Sequence, residues 1–334
     1  MPYIVYVGKI LLYIYLAYLV SINKMTIDKL VLLVSYFELT ITCTDSILKY
    51  LLDLSNYDIR VKRIKNILDY TSENEIDFGD ITNDYINGVI LFDKVTYKIK
   101  NNLILDNVSF KVYPNEITTI VGHSGSGKTS IINLLYRLDR IKSGSILIDD
   151  ENIYNYSKKI YSSNVSGVFQ KPFIFDMSIR DNLSLVDSNI KNQIEVCKRV
   201  GMHEYIMSLP KGYNTVINSE ERLLSDGQKQ LLVIARALLT KSEILLFDEV
   251  TSNIDPNSTT KISELLKDLK QDHTILVVTH KPEIMQIADK VIVLDNGKVK
   301  CKGENEEVYN KSSLYRELRN RTFASISNND SLRS

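Results

Sequence analysis

Residues 122–129, Gly-His-Ser-Gly-Ser-Gly-Lys-Thr, decide the fold of this chain, because they match the phosphate-binding pattern G-x-x-x-x-G-K-[ST] without a mismatch. The β-branched run 117–121 before them predicts a buried strand, and the run 130–136 after them has helical spacing. This strand–loop–helix context turns a string match into a predicted site for a nucleoside triphosphate. The alternative is a glycine-rich turn with a chance Lys-Thr pair.

The residue types of this phosphate loop suit the binding of an anion. Glycines let the backbone turn so that successive N–H groups point inward, and the following helix adds the positive end of its dipole. Lys128 is within reach of the terminal phosphates, and the Thr129 hydroxyl is placed to ligate Mg²⁺. The predicted nucleotide-binding residues of the loop are Gly122, His123, Ser124, Gly125, Ser126, Gly127, Lys128, Thr129 and Ser130.

A second chemical element is the segment 243–249, Glu-Ile-Leu-Leu-Phe-Asp-Glu. Its four apolar residues predict a strand buried between helices, with two carboxylates at the strand end where ligands of open α/β sheets bind. Asp248 suits the outer coordination of Mg²⁺, and Glu249 is positioned to accept a proton from an attacking water. An acidic strand end that merely begins a turn is the alternative.

A third element is Leu-Ser-Asp-Gly-Gln at 224–228, followed by a helical run over 229–239. A Ser-x-Gly turn at a helix N-terminus is another device that binds anions. The chain therefore carries two phosphate-binding elements far apart in sequence.

Composition excludes some classes of function. The 334 residues are 44% hydrophobic and 25% charged, and 41 Lys plus Arg balance 41 Asp plus Glu. A net charge of zero argues against a general nucleic-acid binder, which needs a surplus of cations. The three cysteines are far apart, so we expect reduced thiols rather than a disulfide or zinc framework.

The first part of the chain predicts a helical hairpin in a membrane. Residues 3–22 are apolar except for Lys9 and Ser21, and such a length crosses a bilayer, with Lys9 snorkelling from near the end. A buried soluble helix is the alternative. Residues 27–54 form a second, weaker candidate, because Glu38, Asp45 and Lys49 share one helical face that cannot face lipid. The basic residues Arg60, Lys62, Arg63 and Lys65 follow this second helix and place its end in the cytosol.

These patterns divide the chain into four parts: a hairpin with a cytosolic helix extension over 1–70, a linker over 71–88, a folded domain over 89–322 and a disordered tail over 323–334. For the folded domain we predict an α/β fold of the P-loop NTPase (RecA-like) type with a mainly parallel sheet. An antiparallel β portion covers roughly 89–118, and a helical lobe covers roughly 178–239. Asp-Asn-Gly-Lys at 295–298 marks a tight hairpin.

The order of the motifs resembles the ATP-binding cassette (ABC) transporter family. After the phosphate loop come Gln170 in Val-Phe-Gln, the signature at 224–228, the Asp248-Glu249 pair, Ser-Asn-Ile-Asp at 252–255 and His280 in Val-Thr-His. The resemblance covers about 89–322, and 175–182 looks like the exporter type. It implies an ATPase that binds ATP and Mg²⁺.

The resemblance also implies residue roles. The phosphate loop of one cassette and the signature of another enclose each ATP, so a second cassette chain, identical or different, is an implied partner. Catalysis would rest on Glu249, His280, Gln170 and Lys128, with His280 touching the γ-phosphate. Thr129, Gln170 and Asp248 would hold the metal. The signature residues Ser225, Asp226, Gly227 and Gln228, together with Asp255, would act across the dimer.

The chain departs from the family in its short membrane part, which resembles only the last two of six helices. We interpret it as the C-terminal part of a half-transporter in the plasma membrane, multi-pass, with the cassette in the cytoplasm. A partner chain would then supply the missing helices. A remnant gene and a wrongly assigned start codon are the alternatives.

Two further departures concern the nucleotide. Asp226 stands where the family has Gly, and a carboxylate near a γ-phosphate is repulsive unless the side chain turns away. The position of the aromatic residue that stacks on adenine holds Ile99, with Tyr97 predicted on the same face of the strand. We expect a functional but weak ATP site in an export-type ATPase subunit. The alternatives are a soluble cassette ATPase and a regulatory cassette that binds ATP with little hydrolysis.

Overall fold

The computed structural model describes residues 2–68, 78–82, 86–218, 223–252 and 254–320. It divides into two compact units, Met1–Glu75 and Ile76–Ser334. The predicted tail over 323–334 and most of the predicted linker lie outside the described residues.

The first unit is a pair of helices, α1 (Pro2–Ser21) and α2 (Ile27–Leu68). Asn23 has a φ of 58° in the turn between them, a left-handed conformation that Asn tolerates. By length and composition, Ile27–Lys65 is long and apolar enough to cross a membrane, whereas Tyr6–Ser21 is a shorter apolar helix. The helical pairing follows the sequence prediction, and α2 is longer than the predicted second span.

Lys9 of α1 pairs with an acidic residue of α2, which the sequence did not predict. Its ammonium group lies 2.7 Å from Glu38 Oε2 on α2, and its side chain is only 18% exposed.

The second unit contains two sheets with helices around them. Its strands are β1 (Ile90–Ile99), β2 (Asn102–Val112), β3 (Ile117–Val121), β4 (Ser143–Ile148), β5 (Glu151–Asn152), β6 (Val165–Val168), β7 (Ile244–Asp248), β8 (Thr274–Val278), β9 (Lys290–Asp295) and β10 (Lys298–Glu304). Its helices are α3 (Lys128–Leu135), α4 (Lys158–Asn164), α5 (Ile179–Ser184), α6 (Ile190–Arg199), α7 (His203–Ser208), α8 (Asp226–Leu238), α9 (Pro256–Leu269), α10 (Pro282–Ile287) and α11 (Asn305–Lys311).

The larger sheet has the strand order β10-β9-β3-β8-β7-β6. All neighbours are parallel except β9 and β10, which form the hairpin predicted at 295–298. Every residue of β3, β7 and β8 is buried, as their apolar sequences require between two helical layers. The carboxyl ends of these three strands therefore lie at one edge of the sheet.

The smaller sheet is antiparallel, with the order β2-β1-β4-β5. Its inner face carries Phe92 and Phe110, whose rings stack with centroids 4.4 Å apart. The prediction for 89–118 identified β1 and β2 but not β4 and β5, which complete the sheet. The helices α5, α6, α7 and α8 occupy the stretch predicted to be helical.

Residues 78–82 are attached to the second unit, although the sequence assigns them to a linker. The N–H group of Gly79 donates to the carbonyl oxygen of Tyr156 at 3.2 Å, and that of Ile81 donates to Asn155 at 3.0 Å. The guanidinium of the buried Arg137, which follows α3, lies 4.1 Å from the centroid of the Phe78 ring. Backbone pairing and this cation–π contact hold the segment beside the end of α3.

Gly167 in β6 permits the close approach of Tyr136, which follows α3. A Cβ atom at Gly167 would lie 1.3 Å from the Tyr136 hydroxyl oxygen. We predict that Gly167→Ala lowers the free energy of unfolding by about 1–3 kcal/mol, the usual cost of overpacking a core. Chemical denaturation measures this change, with Ser166→Ala on the same strand as the control. A stability equal to that of the unmodified chain would contradict the packing described here.

Candidate functional site

The phosphate loop joins the buried strand β3 to α3 and is shaped by close backbone contacts. Gly127 caps the start of α3 with a φ of 101°, which glycine adopts without strain. A Cβ atom at Gly122 would lie 2.0 Å from the Leu294 carbonyl oxygen. Because the N-cap residue is the glycine at 127, it has no side chain that could accept a hydrogen bond from the first N–H groups of α3. The first N–H groups of this helix therefore face the loop, where an anion can bind them.

Lys128 is the buried cation of this loop. Its side chain is 5% exposed, and its ammonium group donates to the carbonyl oxygens of Gly122 at 3.0 Å and His123 at 2.9 Å. Burial lowers the pKa of Lys128, while the nearby carboxylates of Glu249 and Asp248 oppose that shift. A bound phosphate would add further negative charge beside this buried ammonium group and favour its charged form.

Asp248 at the end of β7 faces the loop. Its Oδ1 lies 3.5 Å from the Thr129 hydroxyl, and the residue is 6% exposed. Burial raises the pKa of Asp248, and the charge of Glu249 raises it further, against the opposing effects of Thr129 and Lys128. A carboxylate held in this environment beside a hydroxyl is an oxygen donor set that suits Mg²⁺.

Glu249, which follows β7, contacts residues that follow the two neighbouring strands, β6 and β8. Its Oε2 accepts from the Gln170 amide at 3.0 Å, and its Oε1 lies 3.0 Å from His280 Nε2. Its backbone has a φ of 49°, and its N–H group donates to the Val278 carbonyl oxygen at 2.9 Å. The ends of β6, β7 and β8 thus bring Gln170, Glu249 and His280 together, although they are up to 110 positions apart in the sequence.

Of these groups, Lys128, Thr129 and Glu249 border a cavity of about 290 Å³, whereas Gln170, Asp248 and His280 do not line it. Its lining residues are Ile99, Ile104, Ser124, Gly125, Gly127, Lys128, Thr129, Ser130 and Glu249. Ile99 is 48% exposed here and offers an apolar surface beside the loop. Ile104 of β2 is a lining residue that we did not predict, because no motif in the sequence includes it. Of the other loop residues, His123 is exposed and Ser126 is buried.

Tyr97 does not share the exposed face of Ile99, and the prediction that both contact adenine is wrong for Tyr97. Tyr97 is 3% exposed and belongs to the core, whereas Ile99 borders the cavity. Ile99 is the last residue of β1, and the pairing register with β2 shifts between Tyr97 and Lys98, where Ile104 is the extra residue in β2, so the two side chains have different surroundings. Burial, together with a hydrogen bond to Asp139, raises the pKa of Tyr97 to about 12.

The signature forms the start of α8. Ser225 caps the helix in a capping box: its hydroxyl accepts from the Gln228 N–H at 3.2 Å, and the Gln228 side chain accepts from the Ser225 N–H at 2.9 Å. Asp226 is 69% exposed, and its carboxylate lies 3.3 Å from the ammonium group of Lys229. The Asp226 side chain therefore turns along its own helix.

Asp255 lies beside the signature. A Cβ atom at Gly227 would lie 2.5 Å from the Ser258 hydroxyl and 3.7 Å from Asp255 Oδ2. Asp255 caps α9 by accepting from the Ser258 N–H at 2.9 Å, and its hydrogen bonds with Ser258 lower the pKa of the Asp255 carboxyl. The signature residues and Asp255 form a surface separate from the cavity, since among the described residues none of them lines it.

A parallel sheet, a glycine-rich loop before a helix and carboxylates at the next strand ends define the class of P-loop NTPases. Residues 105–252 match the family model described as ABC transporter. The chain is 34% identical to an ATP-dependent lipid A-core flippase of Haemophilus influenzae over 257 residues, which cover 75% of this chain and 44% of that protein. It is 33% identical to an ABC-type oligopeptide transporter of Homo sapiens over 245 residues, which cover 72% of this chain and 32% of that protein.

Among solved structures, a bacterial Atm1-family ABC exporter with ATP bound is similar, with a TM-score of 0.70 and 26% identity over 90% of this chain and 53% of that one. The chain carries an ABC transporter domain, the ATP-binding cassette of an export-type transporter. It spans less than half the length of the curated relatives named here.

Proposed function

We propose that this chain is the ATP-hydrolysing subunit of an export-type transporter. The observation that carries the proposal is the contact of one carboxylate, Glu249, with both Gln170 and His280 at the edge of the phosphate-loop cavity. A base held by two oriented polar groups beside a phosphate site is the arrangement that water-mediated cleavage of a phosphoanhydride needs.

In this proposal each residue of the site has a stated role. Lys128 and the N-terminus of α3 bind the β- and γ-phosphates, and Glu249 accepts the proton of the attacking water. His280 donates a hydrogen bond to the γ-phosphate. Gln170, which follows β6, forms a hydrogen bond with the attacking water. Thr129, Gln170 and Asp248 would hold Mg²⁺, which neutralises charge on the phosphate oxygens when it is bound.

We further propose that two cassettes act together. The signature residues and Asp255 lie on a surface apart from this chain's own cavity, which supports their use by a second cassette. Each ATP would then be held between the phosphate loop of one chain and the signature of another, identical or different. ATP binding would favour the closed pair, and hydrolysis would release it.

The membrane part of the proposal rests on the helical hairpin. A helix within Ile27–Lys65 that could span a bilayer, and exporters among the relatives, support a multi-pass location in the plasma membrane with the cassette in the cytoplasm. The division into hairpin at 1–70, linker at 71–88 and cassette at 89–322 belongs to this proposal. Nucleic acid has no part in this proposal.

Two measurements test the proposal on the full chain. Alkaline carbonate should leave the chain in the membrane pellet, because a spanning hairpin resists extraction. The detergent-solubilised chain should release phosphate from ATP in a Mg²⁺-dependent reaction. Extraction by carbonate would favour a soluble cassette ATPase, and tight ATP binding without phosphate release would favour a regulatory cassette.

Replacing Asp226 tests whether the signature of this cassette permits ATP hydrolysis. Because its side chain turns along α8 toward Lys229, we predict that Asp226→Gly changes the rate of ATP turnover by less than about fivefold. Asp226→Asn, which removes only the charge, is the matched variant. A rise of tenfold or more in both variants would show that the carboxylate opposes the γ-phosphate and that the natural chain hydrolyses ATP poorly.

A further inference from the structure

The two helices of the first unit are joined by a cluster of three polar side chains. The ammonium group of Lys9 donates to both carboxylate oxygens of Glu38, at 2.9 and 2.7 Å. The Tyr13 hydroxyl donates to Glu38 Oε1 at 2.5 Å. Lys9 and Tyr13 are four residues apart on α1, so one carboxylate on α2 contacts two successive turns of the neighbouring helix.

This cluster lies at the depth of the bilayer centre if the hairpin crosses a membrane. α1 ends at Ser21 and α2 begins at Ile27. At about 1.5 Å per residue, Lys9 and Glu38 are therefore each roughly 17 Å from the turn. Half of a bilayer core is about 15 Å, which places both charges near its middle.

Charges at that depth are tolerated only with a partner. An unpaired ammonium or carboxylate in hydrocarbon is costly, and intramembrane ionisable residues pair with one another. Here the two opposite charges neutralise each other, and the tyrosine hydroxyl supplies a further donor. Because the donors come from two turns, a slip of one helix past the other by one turn would break at least one of these bonds.

We propose that Lys9, Tyr13 and Glu38 form a polar clasp between α1 and α2. The clasp sets the register of the two helices, and it allows Lys9 and Glu38 to insert into the bilayer as a neutral pair. The inference rests on the proposed membrane location of the hairpin. The clasp explains why these apolar helices contain a lysine and a glutamate at matching depths. Neither charge would insert into the bilayer at low cost without the other.

The test uses a cysteine in the turn. In the full chain with Cys43, Cys197 and Cys301 replaced by Ser, Asn23→Cys is labelled on intact cells by a membrane-impermeant maleimide. The fraction labelled measures how much of the hairpin is inserted. We expect Lys9→Met and Glu38→Gln each to lower the ratio of labelled to unlabelled chain about fivefold or more. The double variant should return to within about twofold of the parent.

A matched control for Glu38→Gln lies on α2. Asp58 pairs with Lys62 at 2.7 Å, and both side chains are largely exposed, so Asp58→Asn should leave labelling unchanged. Equal labelling of parent, single and double variants would overturn the clasp while leaving the membrane hairpin intact. A double variant as poorly labelled as the single variants would also overturn it. A parent chain that is never labelled would instead overturn the membrane location, and the clasp with it.

Discussion

Glu249→Gln should reduce the rate of ATP turnover by the full chain by about 10²- to 10⁴-fold, the usual contribution of a general base. Gln keeps the size of the side chain and its hydrogen bond with the amide of Gln170 or the ring of His280, but it cannot take a proton from water. ATP binding should persist, because Lys128 and the start of α3 are untouched. Phosphate release at saturating ATP measures the loss.

The matched control is Glu243→Gln, the same exchange at the opposite end of the same buried strand, since β7 begins at Ile244. This variant should hydrolyse ATP at the rate of the unmodified chain. If the chain with Glu249→Gln hydrolysed ATP as fast as the unmodified chain, Glu249 would not be the general base, whatever its contacts.

Lys128→Met should weaken ATP binding by about 10- to 100-fold, because hydrogen bonds to a charged group contribute about 1.5–3 kcal/mol. Met can fill the buried space of the lysine stem but offers no donor to the phosphates. Titration with a fluorescent ATP analogue measures the dissociation constant. Lys311→Met, which removes an exposed lysine on α11, is the control and should bind as the unmodified chain does. An unchanged constant for Lys128→Met would mean that the phosphates bind elsewhere.

The backbone of Glu249 adds to the case for a functional role. A φ of 49° is unusual for a residue with a Cβ atom, and such conformations persist where the surrounding structure imposes them. Here the N–H group of Glu249 is fixed by the carbonyl of Val278 at the end of the neighbouring strand. The conformation aims the carboxylate at Gln170 and His280.

The parts of the molecule that the sequence predicts are those in which local pattern and tertiary structure agree. Strands β3, β7 and β8 are short β-branched or apolar runs, and a run of that kind is stable only between two helical layers. Once they are parallel neighbours, their carboxyl ends must meet, so Lys128, Asp248 and His280 converge on one edge. Their chemical roles stay predictions.

The sequence could not predict features that depend on a single contact between distant residues. At the end of β1, Tyr97 lies in the core and Ile99 lies at the cavity, whereas alternation alone assigns both side chains the same surroundings. Residues 78–82 have the composition of a linker, yet two backbone bonds and the Arg137 guanidinium hold them. The partner of Lys9 is likewise on another helix and depends on the register of the hairpin.

In the proposed mechanism a triphosphate is held between the phosphate loop of one cassette and the signature of another. The decisive measurement is the particle mass of the detergent-solubilised chain with Glu249→Gln, purified together with any proteins bound to it. Light scattering gives this mass with and without Mg²⁺ and ATP. We predict that ATP converts particles with one cassette into particles with two. Particles that hold a single cassette at ATP concentrations where the nucleotide is bound would disprove this arrangement.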